Sequence, residues 1–488
     1  MTTPLPGPES SRVPDPGTRS AAFLAWVLGL GLFLAVATLQ ALNAAASSAP
    51  PTTPTEAVAE TAEPAIPAPG PDPFTLSSMM RVGMGDRGAF GPPPLDAASS
   101  ATELVRAAVV EYALQTPMDS NNSVDPFALA RGRLDEALAA EGASDATAEA
   151  LRADLRDFER LTTPDHDSID QDRRDELDAR HGWFARLAFT ARLDPDDPAR
   201  RAVVQRGQTL FFGVGGAVLA GLAAFGTGLV LFIVVLVKLS NRTLRGRLDR
   251  PAPGGSVYLE IFPLFVGAFL LHSAIAAPLV AQLAGPSVGI WFGILGQWAI
   301  ALVLLWPMVR GVPLARARRD LGFHRGEGFI REIFAGFVGY LAGLPLLAAG
   351  FGLTILLVWL QGRATGSAPE PNNPLVELAG SGSLLLVVAV GMLATLWAPL
   401  VEESVFRGGV YRHLRGRVGF LIAALLTAIF FAFMHGYGPA FTPPLIALAI
   451  TFAALREWRG SIIAAMTAHF IHNAALISFI LMLSTLTG

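Results

Sequence analysis

Residues 396–417 read LWAPLVEESVFRGGVYRHLRGR. A long apolar run arrives at two adjacent carboxylates, Glu402 and Glu403, and places Arg407 four residues further on. A charged side chain at the centre of a bilayer costs about 2.5–3.5 kcal/mol on insertion scales, so such groups either dress an interface or serve a site. What surrounds the three charges decides between these readings.

The chain has 488 residues, 52% of them hydrophobic and only 16% charged. Soluble domains carry roughly 25% charge, so the composition is that of a polytopic membrane protein. Cysteine is absent, which excludes disulfides, thiol catalysis and thiolate metal sites. Apolar runs of about 20 residues mark spanning helices. Nine are predicted, near 21–43, 209–239, 257–283, 287–309, 329–360, 384–406, 419–436, 443–456 and 461–486, the eighth short for a full crossing. The fold class is therefore all-α: a bundle of about nine transmembrane helices with a small helical domain outside the bilayer.

Charge distribution sets an expected orientation. Segment 50–206 holds 16 of the 36 basic residues and 28 of the 40 acidic ones. Most of the other basic residues fall in short connections: Lys238–Arg250, Arg310–Arg331, Arg407–Arg417, and Arg456 with Arg459. The positive-inside rule makes those connections cytoplasmic, together with the N-terminus that carries Arg12 and Arg19. Segment 47–206 and the 361–383 loop are then extracytoplasmic, and the expected location is the cytoplasmic membrane. Ala44-Ala45-Ala46 resembles a signal-peptide cleavage site, but the apolar core before it exceeds the usual 7–15 residues, so an uncleaved anchor is expected.

Four regions follow: 1–46, a tail and first anchor; 47–206, a linker and extracytoplasmic helical domain; 207–383, the preceding spans; and 384–488, the segment with the charges. Residues 47–75 are rich in Pro, Ala, Thr and Ser and cannot bury a core. Gly83-Met84-Gly85-Asp86-Arg87-Gly88 matches G-x-G-x-x-G, yet no strand precedes it and no clear helix follows, so it reads as a loop. Asp125-Pro126 predicts a helix start, and Leu151, Leu155 and Phe158 share one helical face. No internal repeat is found, which argues against a transporter built from paired halves.

Intramembrane polar residues concentrate in the last hundred positions: Glu402, Glu403, Arg407, His435, His469, His472 and Asn473. Glu260 and His272 stand apart on the third span and read as an interfacial acid and a hydrogen-bonded core histidine. Measured by helix rise from the basic turn near Arg415–Val418, Glu402 and His435 lie roughly 20 and 25 Å deep. His469 and Asn473 lie about 12–20 Å in from the Arg456–Arg459 turn. Three segments thus deliver polar side chains to a similar depth. Glu403 and Arg407, at i and i+4, read as an ion pair. Glu402 is rotated by about 100° and reads as the free carboxylate. A carboxylate, imidazoles and an amide in a half-dry cavity suit hydrolysis by an activated water.

Glu402-Glu403-x-x-x-Arg407, Phe431-x-x-x-His435 and His469-x-x-x-Asn473 resemble the three motifs of the CPBP family. That family comprises the CAAX prenyl proteases of the type that cleaves after prenylation, and bacterial Abi and lysostaphin-resistance-like proteins. The resemblance covers 384–486, reaches the preceding four spans loosely and does not extend to the first 200 residues. It implies an intramembrane endopeptidase in which Glu402 activates water, assisted by His435. His469 and Asn473 would hold water and the oxyanion, with Glu403, Arg407 and Phe431 supporting the site. The implied partners are a membrane-embedded or membrane-associated peptide or protein substrate and the bilayer, with no nucleic acid.

His472 departs from the pattern and opens a metal question. Glu402, His435 and His469 could bind zinc and leave a water at the fourth position. There is no His-Glu-x-x-His, and the expected mechanism needs no cofactor. The competing class is a non-catalytic immunity or regulatory membrane protein of the same fold.

Overall fold

The computed structural model describes residues 13–48, 72–85, 94–115, 125–163, 169–365 and 384–487. Most of the Pro/Ala-rich linker, the end of the Gly83–Gly88 motif and the 366–383 loop lie outside them. In chain order the helices are α1 (Arg19–Ser48), α2 (Pro73–Met84), α3 (Pro94–Ala97), α4 (Ala101–Leu114), α5 (Pro126–Glu141), α6 (Asp145–Leu161), α7 (Gln171–His181), α8 (Trp183–Thr190) and α9 (Pro198–Ser240). There follow α10 (Val257–Ala284), α11 (Pro286–Val309), α12 (Leu314–Leu321), α13 (Phe329–Thr365), α14 (Leu385–Arg415), α15 (Phe420–Phe433), α16 (Pro443–Arg459) and α17 (Ile463–Thr487). The protein is an all-helical polytopic bundle.

Each of the nine expected spans has a helix, but among the described residues seven are long and apolar enough to cross a bilayer. The other two are α15, with 14 residues, and α16, with 17 residues and Arg456, Glu457 and Arg459 at its end. At 1.5 Å per residue, 14 residues reach only about 21 Å against a hydrocarbon core of about 30 Å.

By contacts the chain divides into two units, one of residues 1–52 and 221–477, the other of 53–220 and 478–488. In the first, glycines replace the hydrophobic drive that helices lack inside lipid. Gly336, Gly339, Gly343 and Gly350 lie along α13. A Cβ there would run into Thr467 of α17 at the first, and into Leu455, Thr451 and the Pro443–Pro444 backbone of α16 at the others. The two backbones approach because those side chains are absent. The main core joins α1, α10, α14 and α15 through Phe262, Phe265, Val401, Val405, Phe406, Val410 and Phe431. The first helix belongs to this core: Ala22, Ala25 and Val36 are buried, and Trp26 donates to His413 Nε2 at 3.3 Å.

The second unit is built like a soluble domain. Its helices begin on side-chain caps, Asp72, Ser100, Asp125, Ser144 and Asp170, each accepting from a backbone N–H of the first turn. Leu151, Leu155 and Phe158 turn one face of α6 into its core. Beside them a polar cluster is fully enclosed. His181 Nε2 lies 3.0 Å from Asp154 Oδ2, and Arg106 Nε donates to His181 Nδ1 at 3.4 Å. That pattern puts the imidazole proton on Nε2. Arg173 and Arg180 also bind Asp154, at 2.6 and 3.1 Å.

Burial, with the positive charge of Arg106 and Arg180, outweighs Asp154 and lowers the His181 pKa. The stabilisation from a neutral His181 is therefore complete above the ordinary histidine value of about 6.5. As pH falls below it, the unfolded chain takes a proton that the folded one resists. Stability then drops by up to about 1.4 kcal/mol per pH unit until the lowered folded pKa is reached. Asp154, whose pKa is depressed, titrates below the carboxylate range and does not enter this window. The protection factors of amides in α4, α6 and α7 of the full chain, with exchange corrected for its intrinsic pH dependence, should fall between pH 6.5 and 5, and His181→Gln should flatten that dependence. Equal acid sensitivity in the variant would remove His181 as the source.

Candidate active site

The two acids sit between irregular turns of one helix. In α14 the turns Leu393–Trp397 and Ser404–Tyr411 are π-helical, and the α-helical piece between them, Ala398–Glu403, carries both carboxylates. Pro399 accounts for the first irregularity. Ala398 N–H bonds back to Leu393 O, which leaves Ala394 O to the next amide, and Pro399 has no N–H to give. Asn473 fills the gap from α17: its Nδ2 donates to Ala394 O at 2.7 Å. In the second turn Gly408 and Gly409 admit neighbours closely, Leu321 of α12 and the Tyr258 carbonyl of α10.

Glu403 is fully buried. Its Oε1 accepts from Arg407 Nη1 at 3.0 Å and lies 3.0 Å from His469 Nδ1. Arg407, also fully buried, donates through Nη2 to Ala449 O of α16 at 3.1 Å. Its guanidinium lies over the rings of Phe431 and Phe452, 4.7 and 5.1 Å from their centroids. Glu403, Arg407 and His469 thus tie α14, α16 and α17 together.

Glu402 differs. Its side chain keeps 16% of its exposure and pairs with no arginine among the described residues, and its Oε2, which like Glu403 Oε2 has no hydrogen-bond partner, is 3.9 Å from His469 Nε2. His469 therefore holds Glu403 with one nitrogen and turns the other toward Glu402. The imidazole is stacked on Phe452, with centroids 5.1 Å apart.

Phe431 brings the second motif to the same place. Its ring centroid lies 4.8 Å from that of His435, 6.0 Å from that of His469 and 4.7 Å from the Arg407 guanidinium carbon. His435 Nδ1 bonds its own helix at Phe431 O, 2.9 Å away, which aims Nε2 outward. His472 is turned elsewhere: its Nδ1 meets Tyr340 Oη of α13 at 3.3 Å. Glu260 accepts from Ser256 and Trp306, and His272 bonds Gly293 O, so neither joins the site. Among the described residues no three His, Asp or Glu side chains are grouped to hold a metal.

Sequence reasoning missed Phe452 and Ala449, because α16 shows no charge at that depth. It also missed Tyr437, whose ring stacks on His435 at 6.1 Å between Gly436 and Gly438, both at positive φ. Two such glycines around an aromatic residue, directly after a motif histidine, were the available signal. Beside α14 an apolar cavity of about 440 Å³ is lined by Phe269, Ile294, Val390, Leu393 and Trp397. It reaches Ala394 and Ala398, one turn before Glu402.

Glu402, Glu403 and His469 thus meet below the surface of the helix bundle, and His435 packs on the same Phe431 ring. Residues 384–475 match the family model described as type II CAAX prenyl endopeptidase Rce1-like, in keeping with a CPBP-family intramembrane protease. The protein is a multi-pass membrane protein that carries a CAAX-type protease domain. No curated protein and no solved structure matches the chain significantly.

The Glu403–Arg407 pair gives a direct test of its role. Glu403→Gln should cost about 3–5 kcal/mol of unfolding stability, because it strands a buried guanidinium. Replacing both partners by apolar residues should cost less than either single change. Denaturation of the purified variants in detergent measures this, and a double variant worse than both singles would sink the assignment.

Proposed function

We propose that the protein is an intramembrane endopeptidase in which Glu402 activates a water molecule against a peptide bond. The observation that carries this reading is the contrast between the two acids: Glu403 is fully buried and bound by Arg407 and His469, while Glu402 keeps some exposure, pairs with no arginine among the described residues and places Oε2 3.9 Å from His469 Nε2. Glu402 takes a proton from water as the oxygen attacks the carbonyl carbon. The Nε2 atoms of His435 and His469, unprotonated in the neutral rings because each Nδ1 donates, accept from the attacking water, and Asn473 steadies the turn before the acids while its remaining amide hydrogen is available to the oxyanion. The tetrahedral intermediate collapses with cleavage of the C–N bond, and the proton held by Glu402 passes to the leaving amine nitrogen, giving a carboxylic acid and an amine.

The apolar cavity beside α14 suits a substrate whose scissile bond lies close to an apolar group. The family description names prenylated C-termini. For this chain we place the substrate more broadly, as the tail of a membrane-anchored protein or peptide. The expected orientation has the N-terminus and the short basic connections in the cytoplasm, with the 47–206 region outside.

Glu402→Gln keeps shape and volume and removes only the basic oxygen. It should lower turnover by at least about 10²-fold with unchanged thermal stability. Substrates come from comparing membrane proteomes of cells that carry wild-type or Glu402→Ala protein, with a farnesylated peptide as a reporter. Activity within a few-fold of wild type would remove Glu402 as the base.

A zinc-dependent version would draw on Glu402, His435 and His469, which are not grouped to hold a metal among the described residues, and His472, the one extra imidazole, is engaged by Tyr340. We therefore propose a mechanism without metal. Prolonged chelation should leave turnover intact, and His472→Ala should remain near normal. Loss of both bound zinc and turnover, with zinc restoring the wild-type enzyme, would overturn this reading.

A further inference from the structure

The chain passes from α11, ending at Val309, to α13, beginning at Phe329, through a connection that contains α12. A connection between two spanning helices lies at the boundary of lipid and water, and α12 is built for that position. Its inner face, Ala317 and Leu321, is buried, and Leu321 packs on Gly408 of α14. Asp320 adds polar ties on the same side: Tyr258 Oη donates to Oδ2 at 2.6 Å, Arg412 Nη2 is 3.5 Å from Oδ1, and Arg456 donates to the backbone oxygen at 3.0 Å. The inner face therefore clamps the helix that carries Glu402.

The outer face is different. Leu314, Arg318 and Arg319 are exposed, with Leu314 and Arg318 at i and i+4. Arg325 and Arg331 are exposed close by in sequence, beside the exposed apolar Val309, Phe329 and Ile330. Of the other arginines of this unit, Arg412 on α14 is matched to Asp15, Arg415 on α14 to Glu457 and Arg459 on α16 to Glu332, whereas Arg242, Arg245 and Arg250 of the preceding basic connection are not matched to a carboxylate among the described residues. Arg318, Arg319, Arg325 and Arg331 have no such carboxylate among the described residues. Guanidinium groups without counter-charges next to apolar side chains at a bilayer surface match the chemistry of anionic phospholipid, with phosphate for the arginines and acyl chain for the rim.

We propose that the outer face of α12 and the adjoining arginines form a docking site for anionic phospholipid headgroups, and that a bound lipid steadies the Ser404–Arg415 part of α14 through the inner face. This inference does not depend on the proteolytic reading.

The test uses the full chain in nanodiscs of phosphatidylcholine, with or without phosphatidylglycerol. Native mass spectrometry reads the retained lipid, and hydrogen exchange reads residues 404–415. Wild type should retain phosphatidylglycerol over phosphatidylcholine and lose it at high salt, and its 404–415 exchange should slow with the anionic lipid. R318Q/R319Q should retain about tenfold less and lose the exchange effect. R152Q/R160Q, which removes the same charge from the other unit, should behave as wild type. Equal retention in R318Q/R319Q, or equal loss in the control pair, would overturn the site. Loss of retention with unchanged exchange at 404–415 would overturn the coupling to α14. A face that instead takes an acidic protein segment would show no preference between the two lipids, which also overturns the proposal.

Discussion

A buried carboxylate shared by a guanidinium and an imidazole is the constraint on which the rest of the first unit depends. Glu403 has no exposure, and ionised alone in that place it would be prohibitive. Arg407 and His469 make it tolerable, and they come from opposite directions: Arg407 from one turn further along α14, His469 from α17. Arg407 then reaches α16 at Ala449 O, so one charge fixes the spacing of three helices. The aromatic rings of Phe431 and Phe452 close over the guanidinium and keep water out. In a medium where apolar burial does not draw helices together, such a knot supplies the specificity that packing alone lacks.

The irregular turns of α14 follow from the same demand. A regular helix through Pro399 would leave carbonyls without donors in hydrocarbon, where each costs several kcal/mol. The π turn gathers that deficit at Ala394, and Asn473 fills it from α17. Asn473 thus anchors α17 to α14 two turns before the carboxylates. The glycines of the second π turn let α10 and α12 lean on the helix just beyond the acids. Distortion and support therefore alternate along α14, and the acids occupy its only short α-helical piece between them.

Much of this was legible in the sequence, for a physical reason. Charges are so costly at depth that their positions alone marked Glu402, Glu403, Arg407, His435 and His469, and i, i+4 geometry separated Glu403 from Glu402. Hydropathy found a helix for each of the nine apolar runs but not the charged α12, and α15 and α16 are too short to count as full spans, because a run of apolar residues does not say where a helix ends. Three features lay beyond that logic. The hold of His469 on Glu403 needs a contact between residues 66 positions apart. The engagement of Asn473 needs knowledge of which carbonyl Pro399 leaves unserved. Phe452 and the glycines of α13 carry no charge, so only three-dimensional proximity shows what they do.

The division between the two adjacent acids is what a helix can do with one extra residue. Successive side chains point about 100° apart, so a single step moves a carboxylate from a dry, paired environment to one that keeps some exposure. His469 then links the two, because an imidazole has a nitrogen for each: Nδ1 at 3.0 Å from Glu403 and Nε2 at 3.9 Å from Glu402. With Glu403 bound on one side, the tautomer is set: Nδ1 carries the proton, and Nε2 is left as an acceptor in the neutral ring. At 3.9 Å that second contact is longer than a hydrogen bond, so Glu402 stays outside the Glu403–Arg407 knot. The structural carboxylate thus sets the protonation of the histidine, and the histidine sets the surroundings of the free one.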